Sequence, residues 1–222
     1  MRFMTHAKFA ISAIAALVLG AIGCGLIDTD ITKFTFKLPS KKYAFVAPNV
    51  GTIPSTPIAC GAGTAVPTCL SPLTCDDGIC TGHAPVSVVR KMDFRKDAAE
   101  LTSYASITDL KIESIKYTVV STANIEIPTI EIFLAPDGVT DPASPNARKF
   151  GSIPPIAAGE TRTGQVVKEA DADAAFSSFA TNIDVPFNFI ATTTVVIPTG
   201  SPTPTGMVDV TIDGMLSATP MF

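Results

Sequence analysis

Ile183, Val185, Phe187, Phe189, Ala191, Thr193, Val195 and Ile197 occupy every second position, with Asp184, Asn188, Thr192 and Thr194 between them. A period of two sends one set of side chains to a buried face and the other to water, which is the pattern of a β-strand and not of a helix. Beyond a loop at 198–205, Val208, Val210, Ile212 and Leu216 alternate with Asp209, Thr211 and Asp213. Together the two runs are expected to form a long antiparallel hairpin, bent near Pro186.

The same period recurs upstream. Phe34, Phe36 and Leu38 alternate with Lys33, Thr35 and Lys37, and Tyr43 and Phe45 resume after a break at Pro39-Ser40. A strand is expected over 86–94, followed by a short helix capped at Asp97 and reaching Ser103. Leu110 and Ile112 share one parity, whereas Ile115, Tyr117 and Val119 share the other. A bulge near Glu113-Ser114 is needed to keep both sets on one face. Ile125, Ile127, Ile130, Ile132 and Leu134 read as the return strand, interrupted at Pro128. Residues 149–153 and 161–167 read as two further strands around a turn. Acidic Glu169, Asp171 and Asp173 open a helix whose Ala172, Ala175, Phe176 and Phe179 cluster on one side, with Asn182 as its stop.

These elements add up to an all-β chain, an antiparallel β-sandwich of about 7–9 strands with one short helix and a stapled loop insertion. The run Ile153-Pro154-Pro155-Ile156-Ala157-Ala158-Gly159-Glu160-Thr161, within 127–167, resembles in rhythm the Ile-Pro-x-x-Gly-x-x turn region of late-embryogenesis-abundant type 2 β-sandwiches. That resemblance implies the fold and carries over no functional residue.

Residues 47–85 have no sustained period and are rich in Pro, Gly, Thr and Cys. A connection this long in a compact domain is expected to be functional or separately stabilised, since most run to ~4–6 residues. Cys60, Cys69, Cys75 and Cys80 supply that stabilisation as two disulfides, for which three connectivities exist. Zinc is the alternative, with His83 as a further ligand. The rhythm Cys69-Leu70-Ser71-Pro72-Leu73-Thr74-Cys75-Asp76-Asp77-Gly78-Ile79-Cys80 resembles part of small knottin-like cystine modules. What that resemblance implies is the interleaved pairing, Cys60 with Cys75 and Cys69 with Cys80.

The fifth cysteine stands apart. Arg2, His6 and Lys8 precede an uncharged apolar run at 9–23 that ends in Leu19-Gly20-Ala21-Ile22-Gly23-Cys24, the layout of a secretory signal. The layout resembles a bacterial lipoprotein signal peptide, which implies cleavage before Cys24 and lipid (palmitate) attachment to it. Ala21 and Gly23 also suit the small-x-small cleavage of a fully secreted protein, and the uncharged stretch 9–27 approaches the ~20 apolar residues that span a bilayer. All three readings export the rest of the chain. The resulting division is 1–23 signal peptide, 24–46 lipid site and first strand, 47–85 disulfide-stapled insertion, and 86–222 main sandwich body. The first strand begins so soon after Cys24 that the domain is expected to sit close to the membrane.

Removing 1–23 takes Arg2 and Lys8 from the 16 basic residues, leaving 14 against 20 acidic ones, a net of −6. An acidic domain disfavours nucleic acid or an anionic membrane surface as an electrostatic partner. With no Trp and three Tyr, an aromatic carbohydrate platform is disfavoured as well. Only His83 remains for histidine chemistry, and no nucleophile elbow, zinc-protease helix, phosphate loop or dinucleotide fingerprint occurs. The carboxylate pairs are Asp76-Asp77, Asp171 with Asp173, and Asp209 with Asp213. Asp209 and Asp213 read as a solvated strand face and Asp76-Asp77-Gly78 as a turn. Calcium at Asp76-Asp77, or at Asp137 with Asp141, lacks a ligand series. The expectation is a non-enzyme without cofactor, lipid-anchored in the bacterial envelope at the outer membrane, binding or structural in role, with an envelope protein or polymer as partner. The alternative is a carrier of a small apolar ligand or lipid between the sheets.

Overall fold

A computed structural model describes residues 33–47, 53–61, 68–98, 101, 106–180 and 182–221. Cys24 and the signal-like run lie outside them. The elements in chain order are β1 (Phe34–Val46), β2 (Thr74–Asp76), β3 (Ile79–Met92), α1 (Phe94–Asp97), β4 (Ser106–Ser121), β5 (Ile130–Pro136), β6 (Arg148–Ile153), β7 (Thr161–Gln165), β8 (Val167–Lys168), α2 (Ala172–Ala180), β9 (Phe187–Pro198) and β10 (Met207–Met221). They form a four-stranded sheet ordered β1-β10-β4-β7 and a six-stranded sheet ordered β2-β3-β9-β5-β6-β8. Every pairing is antiparallel. The sandwich expected from the alternation is what forms, and the short pieces β2 and β8, too brief to show a period, bring its described strands to ten.

Two bulges let single strands change parity without turning inside out. In β1 the register against β10 shifts between Leu38 and Lys41, so Phe36 and Leu38 on one side of the break and Tyr43 and Phe45 on the other are all buried. In β4 the partner of Met215 is Ser114 and that of Leu216 is Ile112, leaving Glu113 unpaired. Leu110, Ile112, Ile115, Tyr117 and Val119 therefore all face the core.

The hairpin expectations need correction. The runs at 183–197 and 208–216 lie in different sheets, as do 110–119 and 130–134, and 149–153 and 161–165. Alternation says that a strand has one buried face but not which of two sheets supplies it. The connection from β9 to β10 occupies 199–206, long enough to cross between sheets that pack ~10 Å apart. The pairs that do fold back on themselves are β5 with β6 and β2 with β3.

Three boundaries also move. β3 starts at Ile79 rather than 86, so the sheet takes in the end of the cysteine-rich segment. Asp97 closes α1 instead of opening a helix: Asp93 is the N-cap, its carboxylate accepting from Lys96 N–H, while Asp97 Oδ2 accepts from Asp93 N–H at 3.0 Å. Two backbone donors at the amino end of this one turn are thereby satisfied reciprocally. Ile183 and Val185 belong to the approach to β9, which begins after Pro186.

Both inner faces are apolar, and α1 and α2 close one end of the sandwich with aromatic rings. Phe176 of α2 meets Phe94, Phe150 and Phe187 at centroid distances of 6.3, 6.4 and 5.9 Å. Phe187 also packs on Phe189 at 5.6 Å. Burying each ring is worth ~1.5–3 kcal/mol, and tilted or edge-to-face pairs add ~0.5–1.5 kcal/mol. The turn predicted at 154–159 is clamped by Arg162, whose guanidinium donates to the carbonyls of Pro154 (2.6 Å) and Pro155 (2.8 Å) and lies over the Tyr117 ring.

Candidate functional site

The four cysteines gather at the outer edge of the six-stranded sheet. β2 and β3 form a tight hairpin in which Cys75 faces Cys80, with the turn at Asp77-Gly78. Asp77 has φ 50° and Gly78 φ 84°, the left-handed conformations that an Asp-Gly turn supplies cheaply. The segment 53–61 runs alongside: Cys60 N–H donates to the Gly78 carbonyl and Cys80 N–H to the Ile58 carbonyl, each at 2.8 Å. Thr199, just past β9, joins them by donating its N–H to the Cys80 carbonyl and accepting Ile58 N–H on Oγ1.

Two disulfides lock this arrangement, Cys60 to Cys75 and Cys69 to Cys80, with Cα separations of 5.8 and 5.5 Å. This is the interleaved pairing that the knottin-like rhythm implied. Cys80 is wholly buried in β3, so it ties the 68–73 turn to the sandwich itself. Next to the other end of that bond, Leu70 is 80% exposed. Ile79 is also exposed in this hairpin, and Val196 is exposed on β9 opposite His83 of β3. The result is a rigid tip that displays an apolar side chain.

Among the described residues, the metal-sized cluster of ligand atoms is that of Cys60, Cys69 and Cys80, and His83 is not part of it. Its Nε2 lies 2.5 Å from Asp76 Oδ2 at a half-exposed position. The Thr74 hydroxyl approaches the other oxygen of Asp76 at 3.5 Å, a marginal contact. Carboxylate therefore stands between hydroxyl and imidazole, the reverse of the order in which a histidine activates a nucleophile. The sulfurs of Cys60, Cys69 and Cys80 lie within 4.8 Å of one another, but each is spent in a disulfide and offers no thiolate.

The other carboxylates considered from sequence are each engaged separately. Asp137 pairs with Lys91 at 2.7 Å and Asp173 with Lys168 at 2.8 Å. Asp141 accepts from Ala143 N–H in its own turn. Asp209 binds Lys42 at 2.8 Å and Asp213 accepts from the Ser40 hydroxyl, so this strand face is joined to β1 by polar contacts. The carbonyl of Asp171 accepts the Ala175 N–H at the start of α2.

Among the described residues, two spaces bear on ligand binding. The gap between the sheets beside Leu38, Tyr43, Ile115 and Phe189 is about 20 Å³, room for one water. The face of β9 proposed as a cavity wall is filled: Phe187, Phe189, Ala191, Val195 and Ile197 are buried in the core. A groove of about 770 Å³ lies outside the core, between the first half of β4 and α2, with Lys33, Asp109, Lys111, Glu113, Asp173 and Ser177 among its walls. No local sequence pattern marks it, because two elements far apart in the chain create it. Asp109, with φ 50°, sits there where the β4–β10 register slips a second time. Among the described residues, no helix is long and apolar enough to cross a membrane.

No protein-family model matches the chain, and no curated protein matches it. Solved structures with some likeness include the decameric BFDV capsid protein, at 11% identity and a TM-score of 0.34, covering 84% of this chain and 99% of that one. Turnip yellow mosaic virus matches at 15% identity and a TM-score of 0.25, covering 86% and 96%. An Israeli acute paralysis virus particle matches at 11% identity and a TM-score of 0.32, covering 100% and 87%. Similarities of this size carry no functional inference.

Proposed function

We propose that the chain is a lipid-anchored cell-envelope protein, held by Cys24, whose non-catalytic sandwich displays the stapled tip at 68–73 to an envelope protein or polymer. The observation that carries the contact surface is Leu70, exposed at 80% on a turn tied covalently to buried Cys80. Exposing an apolar residue on a mobile loop would cost binding energy in ordering, whereas a crosslinked turn has lost that freedom beforehand. The anchor reading is supported by the signal-like run ending at Cys24 and by two disulfides, which persist in an exported setting. The filled interior favours surface contact over carriage, since ligand sites usually measure ~300–1,000 Å³ and the gap between the sheets is about 20 Å³.

The contact surface is tested by placing a photo-crosslinking side chain at Leu70 or, as a control, at exposed Val120 on the opposite sheet, in cells of the native host. The expected result is a discrete crosslinked product from position 70 that is absent from position 120. Identical products from both positions, or none from position 70, would remove the tip from the account.

A further inference from the structure

We propose that Cys75 is an entry point for thiol–disulfide exchange, through which an external thiol rearranges the two disulfides of the insertion. Cys75 is exposed on β2, whereas Cys69 is half-buried, its partner Cys60 is 7% exposed and Cys80 is wholly buried. A thiolate arriving from solvent therefore meets the Cys75 sulfur first. Attack in line with the bond joins the external sulfur to Cys75 and expels Cys60 as a thiolate.

That thiolate is released beside a second disulfide, because the sulfurs of Cys60, Cys69 and Cys80 lie within 4.8 Å of one another. Its attack on the Cys69 sulfur forms Cys60–Cys69 and expels Cys80 as a thiolate. Cys80 stands directly across from Cys75 in the β2–β3 register. It attacks the Cys75 sulfur of the mixed disulfide, forms Cys75–Cys80, and returns the external thiolate. Three bonds form and three break, no electrons are gained or lost, and the thiol acts as a catalyst.

The hydrogen bonds of Cys60 N–H to Gly78 and of Cys80 N–H to Ile58 involve no sulfur, so the exchange does not require breaking them. Its product differs in one respect. Cys69 loses its bond to buried Cys80 and is tied to Cys60 instead, so the turn bearing Leu70 is crosslinked to the 53–61 segment rather than to β3, while the β2–β3 hairpin becomes closed on itself. The exchange rests on the four sulfurs alone and holds whatever the tip contacts.

Charge selects the thiol. Asp76 and Asp77 follow Cys75 directly, and among the described residues only His83 pairs with either. A thiol bearing a second negative charge is repelled by these carboxylates, and a cationic one is attracted. Cysteamine should therefore react several-fold faster than 2-mercaptoethanesulfonate at low ionic strength, the difference shrinking as salt is added.

The test uses the purified full-length protein, with any free Cys24 thiol blocked by alkylation before exchange begins. Sub-stoichiometric cysteamine or 2-mercaptoethanesulfonate is added without oxygen, samples are acid-quenched over time, and disulfides are mapped by mass spectrometry without reduction. The expected result is a first adduct on Cys75, then growth of the Cys60–Cys69 and Cys75–Cys80 pairs, faster with cysteamine. A first adduct on Cys69 or Cys80, loss of the original pairs without the rearranged ones, equal rates with both thiols, or an unchanged map would overturn the proposal.

Discussion

Glu113 is the residue left over by the β4 bulge, and its side chain is used rather than wasted. The carboxylate accepts from the Lys33 ammonium at 2.8 Å and from the Ser217 hydroxyl. These bonds, the Lys33 contact foremost, hold its pKa below the usual carboxylate range. A depressed folded-state pKa contributes stability that is fully present above the unfolded value of ~4.3 and is lost as the pH falls through the folded value. Glu113→Gln should therefore lower the urea midpoint at pH 7, with the difference from wild type vanishing under acid. A constant difference across the acid range would show that the charge is not what matters. Gly206 makes a second residue-scale case. Its φ is 83°, and a Cβ there would lie 2.2 Å from the Thr122 carbonyl oxygen. Since the left-handed conformation alone costs an L-residue ~1–2 kcal/mol, Gly206→Ala should destabilise by at least that much in equilibrium unfolding. A neutral effect would contradict the crossover geometry.

At the scale of elements, individual strands were legible where alternation was long, and partners were not. The parity change near Glu113 followed from requiring one buried face and the break at Pro39-Ser40 from the residues themselves, and the register against β10 shifts at both places. Sheet membership was hidden because alternation describes one strand against water, while pairing depends on where a crossing loop delivers the next strand. Short β2 owes its place to two disulfides and an Asp-Gly turn more than to any period. The cysteine spacing showed the staple but not the buried β3 anchor at Cys80 or the exposed Leu70 that the anchor displays. Cutting one staple tests its mechanical role. The Cys60–Cys75 bond closes a sequence separation of 15. Cys60→Ser with Cys75→Ser should cost about 2–4 kcal/mol and strip exchange protection from the amides of positions 60 and 80 first. Protection retained at both would show that the backbone bonds suffice alone.

For the whole molecule, the proposed function combines a β-sandwich, a stapled tip at one sheet edge, and attachment at Cys24, where the signal-like run of the sequence ends. β1 begins at Phe34, ten residues after that cysteine, a stretch of chain that reaches at most ~35 Å even if fully extended. Under the proposed attachment the domain would meet its partners close to the membrane surface, within reach of the stapled tip. Everything in this picture depends on attachment at Cys24. The decisive measurement labels cells of the native host with radioactive palmitate, fractionates them, and compares wild type with Cys24→Ser. The account predicts label in membrane-bound wild-type protein whose mature chain starts at Cys24, and no label on the variant. Wild type that is unlabelled and wholly soluble, or label retained by Cys24→Ser, would contradict it.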